Sequence, residues 1–210
     1  MMPRGRVRSA GQGLSMTSHA RGFAVVDLVV ACAIVGVVGA IALPALHATR
    51  DRDAVRMAAR YLAQRMQSAR LEALKRNAEV ALRFDPDEVG LVGAFADGDG
   101  DGVLQRDIDA GTDHRLSPDA RLGDTFDGVV LQIASDVPDP DGGSALGAGS
   151  DAVRIGSTNF LSFSPLGSST SGTIYLAGRG GQQACVRILG ATGRTRVLWF
   201  NPATRQWQQG

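Results

Sequence analysis

The chain has 210 residues, of which 44% are hydrophobic and only 5% are aromatic. This length and composition exclude a fully disordered protein and predict one domain with appendages, whose core is built from Ala, Val, Leu and Ile. The formal net charge of +1 conceals a segregation of charge. Residues 85–151 carry sixteen acidic residues against three arginines, whereas residues 152–210 carry six arginines and no acidic residue. The middle of the chain is therefore acidic and its end is basic.

A long apolar run near the N-terminus predicts a membrane-spanning helix. Residues 28–46 contain no charge, and residues 23–46 are interrupted only by Asp27. At about 1.5 Å per residue, a helix of this length crosses the hydrocarbon core of a bilayer. A carboxylate at the edge of such a helix is costly, so Asp27 is either a functional residue or a side chain that reaches the headgroups. Pro44 removes a backbone hydrogen bond from the same helix.

The residues around this run resemble the leader and hydrophobic helix of type IV prepilins of class III. The similarity covers Arg21-Gly22-Phe23-Ala24-Val25-Val26-Asp27-Leu28 and the apolar run that follows. It implies that a prepilin peptidase cleaves between Gly22 and Phe23 and methylates the new Phe23 amine. It also implies that Asp27, at the fifth mature position, and Pro44, at the twenty-second, serve filament assembly. Asp27 is one methylene shorter than the Glu that is typical of the family.

Other interpretations of the N-terminal segment stay open. A cleaved secretory signal would end at one of the small residues near the end of the run, Ala40, Ala42 or Ala45. Val29-Val30-Ala31-Cys32 resembles a bacterial lipobox, although most of the apolar run follows Cys32 instead of preceding it. A simple membrane anchor would need none of the prepilin landmarks. The two cysteines of the chain, Cys32 and Cys185, are too few for a disulfide framework, and we expect no bridge.

Residues 47–78 predict an amphipathic continuation of the helix. Apolar residues recur three or four positions apart and define one helix face, namely Val55, Ala58, Leu62, Met66, Ala69 and Ala73. A stripe of about three turns favours packing on a sheet over a coiled coil. Asn77 and the strand-like residues 80–84 mark the end of the helix. Residues 69–77 also resemble the helix end of the GspH/FimT group of minor pilins.

Short strands separated by Gly and Asp clusters are predicted for the rest of the chain. They cover residues 79–84, 89–95, 128–134, 152–155, 159–164, 172–177, 184–189 and 195–200. An acidic loop is predicted for residues 97–118 and a flexible, solvated loop for residues 135–151.

The predicted fold is α+β, with a long N-terminal helix packed on a small antiparallel β domain, as in pilin-like proteins. Its parts are a leader peptide (1–22), a membrane or filament-core helix (23–46), an amphipathic helix (47–78) and a periplasmic β domain (79–210).

The acidic loop begins like an EF-hand calcium loop. Asp97, Asp99 and Asp101 occupy positions 1, 3 and 5 of the loop, and Gly102 occupies position 6. Position 12 is Ile108, which offers no carboxylate, and no helical pattern surrounds the loop. Oxygen ligands at this density favour Ca²⁺ over a transition metal. A calcium site and an ordinary Asx turn both fit the sequence.

Arginines dominate the C-terminal end. Arg194 and Arg196 lie two apart in a predicted strand and share a face, and Arg187 lies on the preceding strand. Such a group can contact phosphates. Gly193-Arg194-Thr195-Arg196 resembles the DNA-binding motif of FimT-type minor pilins, which implies DNA contact. Contact with the acidic face of a neighbouring subunit and a simple solvated edge strand are the alternatives.

Taken together, these features predict a structural subunit rather than an enzyme. The sequence has no HExxH, Walker or GxSxG motif. The resemblance implies a minor pilin or pseudopilin that leaves the inner membrane to join a type IV pilus or a type II secretion pseudopilus, with its C-terminal domain in the periplasm. Its expected partners are the prepilin peptidase, other pilin or pseudopilin subunits and the inner membrane. A DNA-binding minor pilin for DNA uptake is the alternative. Calcium is the only cofactor that the sequence suggests.

Overall fold

The computed structural model describes residues 20–85 and 90–209, except for the side chains of residues 20–24 and 42–48. Helix α1 spans Ala20–Arg76, a length of 57 residues. The chain divides into two compact units, Met1–Ala45 and Leu46–Gly210. In the first unit, the described residues are the N-terminal part of α1. The predicted leader, residues 1–22, lies outside the described residues up to residue 19.

In the second unit, α1 packs through the predicted apolar stripe. All six stripe residues are at most 4% exposed, and Ala59 is fully buried beside them. Four of these seven side chains are alanines, whose small size lets the helix lie close to the sheets. The helix ends at Arg76, and Asn77 follows with φ at 52°. Asn tolerates this left-handed conformation, which commonly follows the end of a helix, so the predicted helix end is confirmed.

Two antiparallel sheets form the rest of the second unit. The four-stranded sheet has the order β3-β2-β1-β5, with β1 at Val80–Phe84, β2 at Leu91–Ala96, β3 at His114–Arg121 and β5 at Phe160–Phe163. The five-stranded sheet has the order β4-β6-β7-β8-β9, with β4 at Val153–Ile155, β6 at Gly172–Ala177, β7 at Gln183–Leu189, β8 at Arg194–Asn201 and β9 at Gln206–Gln209. Two short helices, α2 at Gln105–Ala110 and α3 at Leu122–Thr125, complete the described elements. The predicted α+β fold is confirmed.

Helix α1 contacts both sheets. The Arg65 guanidinium donates to the backbone oxygen of Val92 on β2 at 3.3 Å. The Gln67 amide donates to the Thr195 hydroxyl on β8 at 3.0 Å. Because neighbouring residues of a strand point to opposite faces, the contact of Thr195 with α1 puts Arg194 and Arg196 on the opposite, outer face of the five-stranded sheet. The inner face of this sheet is therefore covered by α1, and its outer face is available for other contacts.

One observed strand was not predicted, and one predicted strand did not form. Strand β3 was not predicted, because it contains Pro118 and many polar residues. Proline is tolerated there because β3 is the edge strand of its sheet. Residues 128–134 were predicted as a strand but form only one bridge, from Val130 to Ala177. Their alternation is real, because Val129, Leu131 and Ile133 are all buried, but the backbone does not continue the pairing.

The short strand β9 was also missed, because three of its four residues are glutamines. It forms by pairing with β8, so that Phe200 lies opposite Trp207. The strand propensity of these residues is weak, so pairing with β8 determines their conformation.

The two predicted loops contain more structure than expected. Residues 97–118 include α2 and the first half of β3. Residues 135–151 form no strand or helix, but Val137 and Leu146 are buried and exchange two backbone hydrogen bonds. The Trp207 indole N–H donates to the backbone oxygen of Pro138 at 2.7 Å, which attaches this loop to β9. Its flexibility stays a prediction.

Candidate assembly and binding surfaces

The first part of α1 has an apolar surface on all sides. Ten large apolar side chains between residues 25 and 41 are 50–73% exposed, namely Val25, Val26, Leu28, Val29, Val30, Ile34, Val35, Val37, Val38 and Ile41. Asp27 lies exposed among them. A helix that is apolar on all sides is normally buried in a membrane or in a larger assembly. Residues 25–41 therefore form a surface that needs a partner outside the described chain.

The other prepilin landmarks have no described side chains. Gly22, Phe23 and Pro44 fall within α1, and their predicted roles in cleavage, methylation and assembly stay predictions. Cys32 is exposed and Cys185 is buried. Among the described residues, none of the helices has a stretch that is both long enough and apolar enough to cross a membrane.

The Asp-Gly segment forms a tight turn closed by its own hydrogen bonds. The Asp97 carboxylate accepts from the backbone N–H groups of Asp99, Gly100 and Gly102 at 3.1, 2.7 and 3.2 Å. This is the Asx turn that the sequence allowed. Gly100 and Gly102 have φ values of 93° and 95°, a conformation that glycine adopts without strain.

The three predicted calcium ligands are nevertheless close together. One carboxylate oxygen from each of Asp97, Asp99 and Asp101 lies within 4.8 Å of the others. Desolvation, together with the nearby charges of Asp99 and Asp107, raises the pKa of Asp101, although Arg106 opposes this effect. The Arg106 guanidinium pairs with Asp101 at 2.5 Å. The site has the ligand type that Ca²⁺ prefers, and calcium binding itself stays a prediction.

Two features of this turn were not foreseen. Helix α2 follows the turn directly, so the expectation that no helix borders it was wrong. Asp113, which is 3% exposed, accepts from the backbone N–H of Gly98 at 3.1 Å and of Leu104 at 2.9 Å. This carboxylate joins the two ends of the segment. It was missed because it immediately precedes the unpredicted strand β3.

The predicted arginine group comes together as an arginine face on the outer side of the five-stranded sheet. Arg187 lies directly opposite Arg196, and Arg194 lies opposite Leu189. The four side chains line a small cavity of about 80 Å³. Like charges directly opposite each other destabilise a strand pair, so this arrangement costs stability unless an anion lies nearby.

Only part of that charge is balanced within the described chain. Arg187 forms an ion pair with Asp141 from the loop at 135–151, a partner that sequence reasoning did not foresee. Arg194 and Arg196 are exposed and form no ion pair with any described residue. The arginine face therefore offers two unbalanced guanidinium groups to an anionic partner.

The glycine that precedes these arginines has a structural role. Gly193 has φ at 60° in the turn between β7 and β8. A Cβ atom at this position would lie 2.8 Å from the backbone oxygen of Gly167 and 3.0 Å from the Arg70 Nε atom. Gly193 is thus required by the turn and by its close contacts, whatever the two arginines bind.

A helix whose apolar surface is uncovered, continuing into a helix packed on antiparallel sheets, defines a pilin-like subunit. Residues 58–192 match the family described as type II transport protein GspH. The match covers more than half of the chain, and the chain belongs to this family. The resemblance to the GspH/FimT group is confirmed.

Two solved structures of the minor pseudopilin EpsH from the type 2 secretion system of Vibrio cholerae are similar to this chain. One is 16% identical over 69% of this chain and 96% of EpsH, with a TM-score of 0.44. The other is 18% identical over 70% of this chain and 94% of EpsH, also with a TM-score of 0.44. No curated protein matches the chain.

Proposed function

We propose that the chain is a minor pseudopilin, assembled from the inner membrane into the pseudopilus of a type II secretion system. The observation that carries the proposal is the apolar surface at residues 25–41, which the described chain leaves exposed around Asp27. Membership of the type II transport protein GspH family supports it. The role is structural, and it does not call for a catalytic site. A minor pilin of a type IV pilus is the related alternative, which the neighbouring genes would distinguish.

In this proposal, the N-terminal segment acts in three steps. A prepilin peptidase removes residues 1–22 and methylates the amine of Phe23. Residues 23–46 then hold the subunit in the inner membrane, with the second unit in the periplasm. Finally, the same residues become the core of the filament when the subunit leaves the membrane.

Asp27 would guide the last step through its charge. An isolated carboxylate is costly in a medium of low dielectric constant, whereas one paired with a positive group is tolerated. The N-terminal amine of a neighbouring subunit is a suitable partner, because cleavage after Gly22 places an amine on Phe23, four residues before Asp27. We therefore propose that Asp27 pairs with the amine of a neighbouring Phe23.

Charge variants of the full chain test this role. Asp27→Ala should insert into the membrane as well as the wild type does but fail to assemble, whereas Asp27→Glu should assemble because it restores the charge. Asp53→Ala is the matched control, because Asp53 is an exposed carboxylate of the same helix that pairs weakly with Arg56 at 3.9 Å. Assembly is measured by cysteine cross-linking between subunits in membranes that carry the secretion system. Normal assembly of Asp27→Ala would contradict the proposal.

DNA binding is a second candidate function, favoured by one observation. Arg187, Arg194 and Arg196 line one small cavity on the outer face of the sheet. Binding through phosphates would be independent of sequence and would weaken steeply with salt. The acidic residues of the middle segment, including Asp141 beside Arg187, would oppose it, so we expect modest affinity.

A gel-shift assay with the full chain in detergent tests this candidate. Arg194→Gln combined with Arg196→Gln should weaken the shift and reduce the slope of log affinity against log salt by about 1 to 2, since each phosphate contact contributes roughly 0.9. Arg179→Gln combined with Arg205→Gln removes the same charge elsewhere and should bind as the wild type does. If both pairs bind DNA equally, or if the wild type binds none at low salt, the arginine face is not a DNA site.

A further inference from the structure

A second cavity lies at the opposite end of the five-stranded sheet from β9. Its volume is about 490 Å³. It is lined by β4, by part of β6, by the turn at residues 156–159 and by three carboxylates, namely Asp139, Asp141 and Asp151. Strand β4 is the edge of its sheet, the position in a sheet where another polypeptide can approach.

Two buried hydroxyl groups belong to this cavity and have no partner. Thr173 and Tyr175, both on β6, line the cavity and are 3% and 1% exposed. Neither hydroxyl forms a hydrogen bond with any described residue. Buried hydroxyl groups are nearly always hydrogen-bonded, because an unpaired one costs free energy. Two unpaired hydroxyls two residues apart on one strand therefore point to a ligand that supplies the missing partners.

The Tyr175 hydroxyl stays protonated beside the charged groups of the cavity. Burial raises the pKa of Tyr175, with further contributions from Cys185 and Asp139, whereas Arg154 lowers it. Asp139 and Arg154 line the cavity together with Tyr175. The phenol remains a neutral hydroxyl at physiological pH and can accept a hydrogen bond from a ligand.

The carboxylates supply further acceptors. Asp139 uses one oxygen to accept the backbone N–H of Asp141 at 2.8 Å, and Asp151 uses one to accept the backbone N–H of Val153 at 2.9 Å. Each carboxylate has a second oxygen. Asp141 is paired with Arg187. Asp139 and Asp151 together therefore exceed the single charge of Arg154, and the cavity favours a cation.

The spacing of the carboxylates excludes a single metal ion shared by all three. Among the described residues, the one group of three carboxylates whose oxygens lie within 4.8 Å of one another is the Asp97 turn. A ligand that is larger than an ion and carries several donors can reach carboxylates at this spacing. A guanidinium group fits this description, because it is planar and carries five N–H donors.

We propose that the cavity beside β4 binds an arginine side chain of another polypeptide, with Asp139, Asp151 and the hydroxyls of Thr173 and Tyr175 accepting its N–H groups. This site shares no residue with the apolar surface of α1, and it adjoins the arginine face at the ion pair between Asp141 and Arg187. Failure of this proposal would leave the proposed assembly function intact.

Tryptophan fluorescence can report ligand binding in the cavity. The chain has two tryptophans, and the Trp207 ring lies 6.0 Å from the Tyr175 ring. In the full chain carrying Trp199→Phe, Trp207 is the sole tryptophan and reports on the cavity. We expect a blocked Gly-Arg-Gly peptide to change its emission saturably, and a Gly-Gln-Gly peptide to have no effect. Equal responses to the two peptides, or to Gly-Lys-Gly and Gly-Arg-Gly, would overturn the assignment of arginine.

Two variants separate binding from folding. Tyr175→Phe should weaken the Gly-Arg-Gly peptide about tenfold without lowering the melting temperature, because the hydroxyl it removes is unpaired. Asp139→Asn should weaken the peptide by a similar factor. Asp124→Asn is the control, since Asp124 is an exposed carboxylate of α3 away from the cavity. Unchanged affinity in both cavity variants, or a saturable response to calcium chloride without one to the arginine peptide, would refute the proposal.

Discussion

The two parts of helix α1 both carry apolar side chains but differ in what covers those side chains. Between residues 25 and 41, large apolar side chains are 50–73% exposed. Between residues 55 and 73, the apolar stripe is at most 4% exposed, because the sheets of the same chain cover it. The apolar side chains of the second part are buried within the chain, whereas the described chain leaves those of the first part exposed.

This difference separates residues that stabilise the fold from residues that serve assembly. A substitution in the second part should change the free energy of unfolding and leave membrane insertion unaffected. A substitution in the first part should do the reverse. The acidic turn shows a similar difference. The Asp97 carboxylate accepts hydrogen bonds from backbone N–H groups of the turn, whereas the carboxylates of Asp99 and Asp101 repel each other.

The largest effect is expected from Val35→Asp, in the exposed part of the helix. Val35 is 71% exposed and would lie near the centre of the membrane helix that we propose for residues 23–46, where a carboxylate costs about 2.5 to 3.5 kcal/mol on insertion scales. The variant should leave the membrane fraction and fail to assemble. Its second unit, Leu46–Gly210, should unfold at the same temperature as in the wild type. Val35→Leu is the control. Retention of Val35→Asp in the membrane fraction would contradict the proposed membrane role of the first part of α1.

The next effect is expected from Leu62→Ala, in the buried stripe. Leu62 is fully buried, and removing such a side chain costs about 2 to 5 kcal/mol of folding free energy because it leaves a cavity. Leu71→Ala, on the same helix but 54% exposed, should change stability by less than about 0.5 kcal/mol. Chemical denaturation measures both. Equal losses would show that burial by the sheets is not what stabilises this part of α1.

Calcium should produce a smaller effect. If the Asp97 turn binds Ca²⁺, the ion should raise the melting temperature, by about 1.4 kcal/mol of stability at ten times the dissociation constant. Asp99→Asn should abolish the rise without lowering stability in a chelator, because the hydrogen bonds that close the turn come from Asp97. A melting temperature that is the same at millimolar calcium and in chelator would leave the plain Asx turn as the interpretation.

The smallest effect concerns pH. The pKa of Asp101 is raised in the folded state above its ordinary value of 3.8, so the folded protein binds this proton more tightly than the unfolded chain does. Ionised Asp101 therefore lowers the free energy of unfolding. This destabilisation is complete above the folded-state pKa and disappears well below pH 3.8, where Asp101 is protonated in both states. Asp101→Asn should melt slightly higher than the wild type at pH 7, and the difference should vanish below that value. A difference that grows on acidification would have the wrong sign.

The sequence was sufficient for the features that repeat along the chain. The spacing of Leu62 and Met66 with their neighbours predicted the buried face of α1, and Asn77 predicted its end. Alternation along the strands predicted that Arg194 and Arg196 share a face. These predictions depend on local periodicity, which the chain retains when it folds.

Features that depend on distant pairing were not predictable. Strand β3 exists because β2 pairs with it despite Pro118, and Asp141 reaches Arg187 from a loop 46 positions earlier in the chain. The cavity beside β4 combines residues from that loop with Thr173 and Tyr175. No local pattern encodes such contacts, because tertiary packing brings them together.

The most direct test of the account is the intact mass of the full-length gene product purified from membranes. We expect a mature chain that begins at N-methylated Phe23, with residues 1–22 removed. Processing at this position would put Asp27 at the fifth position, near the amine of a neighbouring subunit, and would leave the apolar surface at residues 25–41 to form the filament core. A mature chain that begins near residue 45, or one that carries a lipid on Cys32, would contradict the account.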